Sequence, residues 1–270
     1  MISLFKMEFK RAFISKHFLI VVVLGLLLSM SHLFRFILPV YPVSEKDVDA
    51  LNTLTQWIGF KTFSFETQML FFLMPILVAI PYADTYLLEK KNGYLKNVLL
   101  KVEKIQYLVV KFITVFVIAG LVISIPLIIN LLGTMLFLPS VIPPAPETQQ
   151  TPLFLTNMWQ ELYYTHSFLY ISSYIGLDFL YAGLFGVIAL AVSVFIKNRF
   201  LVLITPFILY LLLFLFSELT GKEGFVPFLF LIPAPMLAET HASLIFGGFI
   251  ILFLLSVITF FIGANKSETY

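Results

Sequence analysis

Apolar residues gather into six long blocks along the chain, at about 18–38, 67–88, 109–138, 168–196, 200–219 and 243–264. Each holds about the 20 residues with which a helix rising 1.5 Å per residue crosses about 30 Å of hydrocarbon. The pattern predicts an all-α integral membrane protein with six transmembrane helices. The chain reads as a single transmembrane domain, 1–270, with no internal repeat strong enough to divide it.

Three stretches between the blocks have patterns of their own. In Met1 to His17, Leu4, Phe5, Phe9, Ala12 and Phe13 recur at helical spacing while Lys6, Lys10 and Lys16 lie away from them. That predicts an amphipathic helix in the membrane interface; the alternative is a basic flank that only orients the first span. In the stretch from Asp84 to Lys111, Leu95, Val98, Leu99 and Val102 fall at i, i+3, i+4, i+7, and Gly93 is placed to end a preceding helix. A short amphipathic helix there would dock on lipid headgroups or on a cytoplasmic protein. The stretch between the fifth and sixth blocks is too apolar for a solvated loop and too broken by Pro227, Pro233 and Pro235 to span. It predicts a re-entrant hairpin, or else a loop resting on the outer leaflet, and as a hairpin it would line a pathway.

Composition agrees with a bilayer as solvent: 60% of the 270 residues are hydrophobic and 12% are charged, against roughly 25% charged in soluble domains. The net charge of +2 gives no basic field for nucleic acid. Cysteine is absent, which excludes disulfides, thiolate metal sites and a cysteine nucleophile. The first apolar block follows Lys6, Lys10, Arg11 and Lys16 but continues to Leu38 without a small-residue cleavage site, so it is expected to stay as a span.

Charge placement sets the orientation. With both termini cytoplasmic, thirteen of the seventeen basic residues fall on the inner side; the outer segments hold Arg35, Lys46, Lys61 and Lys222 against nine acidic residues. The stretch Pro143 to Pro152, around Glu147, reads as an exposed outer loop, and Trp57 and Trp159 as headgroup anchors. Counting back from Lys197 and Arg199, Asp178 falls near the outer headgroups, as do Glu66 and Asn130 from their own spans. An intramembrane carboxylate still makes Asp178 a candidate pathway residue.

Several chemistries have no motif here. There is no G-x-x-x-x-G-K-[ST] run, no H-E-x-x-H and no G-x-S-x-G, and the four histidines are scattered. The chain is expected to bind no nucleotide, metal or other cofactor and to be no enzyme.

The layout resembles the permease subunits of type-2 ABC exporters, widespread in bacteria. The resemblance covers nearly the whole chain: an amphipathic elbow helix, six spans, a charged loop between spans two and three, and a broken hairpin between spans five and six. In the charged loop, Glu89, Gly93, Leu99, Leu100, Tyr107 and Lys111 are similar to the family's acidic residue, glycine, leucine pair and later lysine; the chain departs from it with Val102 where a proline commonly follows the leucine pair. The resemblance implies that the loop, with Glu89, Gly93, Tyr94, Leu95, Val98, Leu99, Leu100 and Lys104, couples to a separate ABC ATPase that carries the ATP and Mg. It also implies a second permease chain, identical or not, and a bacterial plasma membrane. Two other functions fit the same residues: a membrane immunity protein that sequesters a peptide at its acidic outer face, and a proton-coupled carrier working through Asp178.

Overall fold

Proline, glycine and capping side chains set where the apolar runs start and stop. The computed structural model describes residues 2–141, 158–221, 223–234 and 241–266, and among them all regular structure is helical. Helix α1 (Ile2–Phe13) is separated from α2 (Lys16–His32) by Ser15, whose hydroxyl accepts from the Phe18 N–H at 3.1 Å. Asn52 and Thr55 form a reciprocal cap on α3 (Thr53–Gln56), and Ser64 caps α4 (Phe65–Ala79). Helix α5 (Thr85–Lys91) gives way at Gly93, with φ of 71°, to α6 (Tyr94–Leu99). Then follow α7 (Lys104–Phe137), α8 (Gln160–Thr165), α9 (Ser167–Val192) and α10 (Arg199–Thr220), which closes at Gly221 with φ of 66°. The short α11 (Pro227–Leu231) and the long α12 (Ala242–Lys266) complete the chain.

Five helical runs are long and apolar enough to cross a membrane: Lys16–Val40, α7, α9, α10 and α12. The protein is therefore a multi-pass, all-α membrane protein. The block expected at 67–88 is not one helix. Helix α4 stops at Ala79, because Pro81 has no N–H to donate and its ring clashes with the carbonyl one turn back. Fifteen residues reach about 22 Å, short of the hydrocarbon thickness. Turns then carry the chain to Asp84.

Helices α7 and α9 form the centre, with α10 and α12 at the periphery. Small residues let the central pair approach: a Cβ on Gly120 would lie 2.5 Å from the Phe179 ring, one on Gly183 2.7 Å from Phe116, and one on Gly186 2.5 Å from the Ala119 Cβ. Without water to drive helices together, this close packing is what holds a membrane bundle.

The bundle has two distinct ends. At the basal end Glu8 of α1 meets Lys111 of α7, Arg199 of α10 pairs with Asp84, and Lys104 reaches the Asn265 carbonyl at 3.4 Å. At the distal end the Thr53 N–H donates to Pro139, and Tyr163 to the Leu54 carbonyl at 3.0 Å. There too the 232–234 stretch is tied down: Tyr170 donates to the Pro233 carbonyl at 2.6 Å and Thr62 to the Ala234 carbonyl at 2.7 Å. Non-helical carbonyls in an apolar setting need such partners.

Trp57 is not a headgroup anchor. It is fully buried and donates from Nε1 to the Leu127 carbonyl at 3.2 Å, inside the bundle. Trp159 is half-buried against Tyr174 and Phe246. The proline-rich loop at 143–152, Lys222, Pro235 and Glu239 lie outside the described residues.

Candidate functional site

The basal end concentrates the protein's buried charge. Helix α1 turns Leu4, Glu8 and Ala12 inward, one turn apart, so a carboxylate sits in the middle of its buried face. Its phenylalanines flank that face, with Phe5, Phe9 and Phe13 stacked at centroid spacings of 5.9 and 6.0 Å. The Phe13 ring then meets Phe18 of α2 at 5.0 Å.

Glu8 enters a cluster built from four parts of the chain. Lys111 of α7, fully buried, places Nζ 2.6 Å from Glu8 and 2.8 Å from Glu89 of α5. Arg11 of α1 pairs with Glu89 as well and donates from Nε to the Tyr82 hydroxyl at 2.7 Å. Tyr82 in turn donates to Glu8 at 2.9 Å, and Tyr107 of α7 donates to Glu89. The Lys111 ammonium also lies 4.7 Å from the Tyr82 ring, and the Arg11 guanidinium 5.2 Å from the Tyr94 ring, which adds cation–π attraction. Two acids and two bases balance. Burial pushes the Glu8 carboxyl up, but Lys111 and then Arg11 outweigh it and hold the group below the usual carboxylate range.

This cluster joins α1, the turn at Tyr82, α5 and α7 into one module. Removing one member of such a buried set strands its partners, at about 3–5 kcal/mol. Comparison with family models, with curated proteins and with solved structures gave no match.

The loop residues fall on both sides of this module. Glu89 is in the cluster, and Gly93 supplies the left-handed turn. Leu95 and Val98 are buried, while Tyr94, Leu99 and Val102 pack partly against the same core. Leu95 and Val98 of the stripe read from the sequence thus dock on the protein's own body. The surface that α6 and the following turn leave open is Lys96, Asn97, Leu100 and Lys101, with Leu100 85% exposed. Beside it runs a groove of about 350 Å³, lined among others by Leu4, Met7, Tyr94, Val98 and Lys101.

The pathway candidates are elsewhere. Pro227 and Pro233 are buried at the distal side, Pro227 as the first residue of α11. Asp178 is not near the outer end of its helix. Helix α9 begins at Ser167, which sets Asp178 about 16 Å along it, and the residue is fully buried with neither carboxyl oxygen hydrogen-bonded among the described residues. Counting from Lys197 failed because 193–198 is a non-helical connection at the basal end, so those residues add little depth. Glu66 and Asn130, by contrast, are partnered: Arg35 and Ser31 reach Glu66 at 2.9 and 2.7 Å, and Asn130 joins Ile58 N–H to the Ser29 carbonyl.

Sequence reasoning missed Glu8, Arg11 and Tyr82. The available signal was that Glu8 lies four residues from both Leu4 and Ala12, on the apolar stripe rather than opposite it.

Among the described residues no group of three or more His, Asp or Glu is placed to hold a metal.

Proposed function

We propose that this chain is the membrane-spanning permease subunit of an ABC-type exporter, driven by a separate ATPase. Its carrying observation is the basal module, in which an ion cluster ties α5 to α1 and to the long central α7, while α6 packs on the core through Leu95 and Val98 and lays the Tyr94 ring 5.2 Å from the Arg11 guanidinium. A push on α6 from a cytoplasmic partner would, in this reading, pass through Arg11 and Glu89 to α7. In this reading the chain crosses six times with both termini cytoplasmic. Helix α1 is the elbow, residues 65–83 supply the second crossing, and the described residues 223–234 belong to the re-entrant hairpin between α10 and α12. Support for that count comes from the contacts of α1, Asp84, Arg199 and Asn265 at one end of the bundle.

The ATPase would hold ATP and Mg, and its docking surface on this chain is Lys96, Asn97, Leu100 and Lys101. A second permease chain would complete the complex in a bacterial plasma membrane.

Gentle detergent extraction of the tagged protein from its native membrane, with mass spectrometry of what stays bound, tests the reading. A P-loop ATPase in stoichiometric amount is expected, and Leu100→Asp with Lys101→Glu should reduce its recovery at least fivefold while the chain still inserts. Recovery of the chain alone, with crosslinking before extraction also finding no ATPase, would overturn it. A proton-coupled carrier is the reading that would then gain, since Asp178 is buried without a partner.

A further inference from the structure

A cavity of about 500 Å³ opens beside the ion cluster, between the starts of α2 and α10, the turn at 81–84 and α5. Two arginines and two acids line it, Arg11 with Glu89 and Arg199 with Asp84. The acids are buried, whereas the Arg11 and Arg199 side chains are 36% and 42% exposed. Carboxylates therefore make the floor and guanidiniums the mouth. Each acid occupies one edge of its arginine: Glu89 takes Arg11 at Nη2, and Asp84 takes Arg199 at Nε. Arg11 Nε is spent on the Tyr82 hydroxyl, and Arg199 Nη2 meets His17 Nε2 at 3.4 Å. The Nη1 amino group of each arginine donates to nothing among the described residues. Burial pushes the Asp84 carboxyl above its ordinary value despite Arg199, so Asp84 is a weak competitor for that guanidinium. Lys16, Lys90, Lys91 and Lys197 stand exposed close by in sequence, and Lys91 donates to the Lys197 carbonyl at 2.6 Å.

We propose that this cavity binds the phosphate headgroup of an anionic membrane lipid. A guanidinium stays charged at any working pH, and its fork matches phosphate oxygens in pairs. Two such groups with open amino edges face one cavity here. Depth selects the lipid as the source of the phosphate. His17 is the second residue of α2 and Arg199 the first of α10, both of them membrane-crossing helices, so the cavity lies where a span enters the headgroup layer. In the adjoining positions Leu19, Ile20, Phe200 and Leu201 are exposed and offer surface to acyl chains. Basic pockets between membrane helices are where acidic headgroups settle. A zwitterionic headgroup would bring an ammonium toward the surrounding lysines, which disfavours it. Once bound, the phosphate would bridge Arg11 to Arg199 and so fasten α1 to the peripheral α10, two helices that share no ion pair of their own among the described residues.

The site needs the membrane but not the exporter reading, so the full chain is tested with no ATPase present. It is placed in nanodiscs of phosphatidylglycerol and phosphatidylcholine in equal amounts and released for native mass spectrometry. Retained phosphatidylglycerol is expected to exceed phosphatidylcholine at least tenfold. Arg199→Gln combined with Asp84→Asn removes the guanidinium without stranding the buried acid and leaves the net charge as it was; it should cut that retention at least fivefold. Lys6→Gln lowers the net charge at an exposed position off the cavity and should leave retention unchanged. Retention without preference, or an equal drop for Lys6→Gln, would overturn the site. Should the double variant fail to fold, the unaltered protein decides: modification of Arg199 by phenylglyoxal, read by peptide mass spectrometry, should fall at least threefold in phosphatidylglycerol nanodiscs relative to phosphatidylcholine ones. No protection, or equal protection by inorganic phosphate added to the phosphatidylcholine discs, would remove the lipid as occupant. Absence of an ATPase from the native complex would end the exporter reading and leave these measurements standing.

Discussion

The basal end and the middle of α9 treat buried charge in opposite ways. At the base, Glu8, Glu89, Arg11 and Lys111 are drawn from three helices and each has at least one ionic partner, with Tyr82 and Tyr107 filling remaining positions. In α9, Asp178 is buried as deeply and has no hydrogen-bond partner among the described residues. Burial alone therefore says little about role. A charge whose partners are all internal serves the architecture, whereas one without a partner is left over by the architecture.

The largest effect expected from this contrast is on stability. Lys111→Met should destabilise the protein by about 3–5 kcal/mol, because two carboxylates lose the ammonium between them. The drop would be read as thermal unfolding in detergent. A loss under 1 kcal/mol would mean the cluster is not a structural unit. Asp178→Leu should go the other way, gaining about 1–3 kcal/mol by removing a buried group with no partner, and a large loss there would erase the contrast.

Acid sharpens the comparison further. The folded-state pKa of Glu8 is depressed below its ordinary value of 4.5, so the stability it supplies is present above about pH 4.5 and is lost as pH falls through the lower folded value. The unfolding temperature should fall across that window, and Glu8→Gln should flatten the response. A smaller effect is expected at Gly93, where φ is 71° and a Cβ would meet nothing within 4 Å. Gly93→Ala should cost about 1 kcal/mol from backbone strain alone. A similar loss from Leu100→Ala, where the side chain is 85% exposed and a change within about 0.5 kcal/mol is expected, would place α6 against an unseen part of the protein.

Much of the fold is legible because lipid imposes length. The five long helical runs begin and end within a few residues of the apolar blocks, since caps such as Ser15 and Asn198 and the closing Gly221 sit at their edges. The α4 region was harder. Its apolar residues continue past Pro81, and hydropathy does not register a missing N–H. Residues facing the interior were harder still. Trp57 and Leu95 carry the same composition signal whether they meet headgroups, a partner or their own chain, and only the path of α3, α6 and α7 decides. Glu8 required noticing register, and the partner that makes it tolerable, Lys111, is 103 residues away. Glu89 and Lys111 were visible as a motif; that they touch was not.

The unbroken length of α7 has one more consequence. Its 34 residues extend about 51 Å, and even at an ordinary tilt of about 20° that leaves well over 10 Å standing clear of a 30 Å hydrocarbon layer. The overhang begins at Lys104 on the basal side. The same rigid element thus carries Tyr107 and Lys111, which α1 and α5 hold at its basal end, and Leu127 and Asn130, which meet Trp57 and Ile58 towards its distal end.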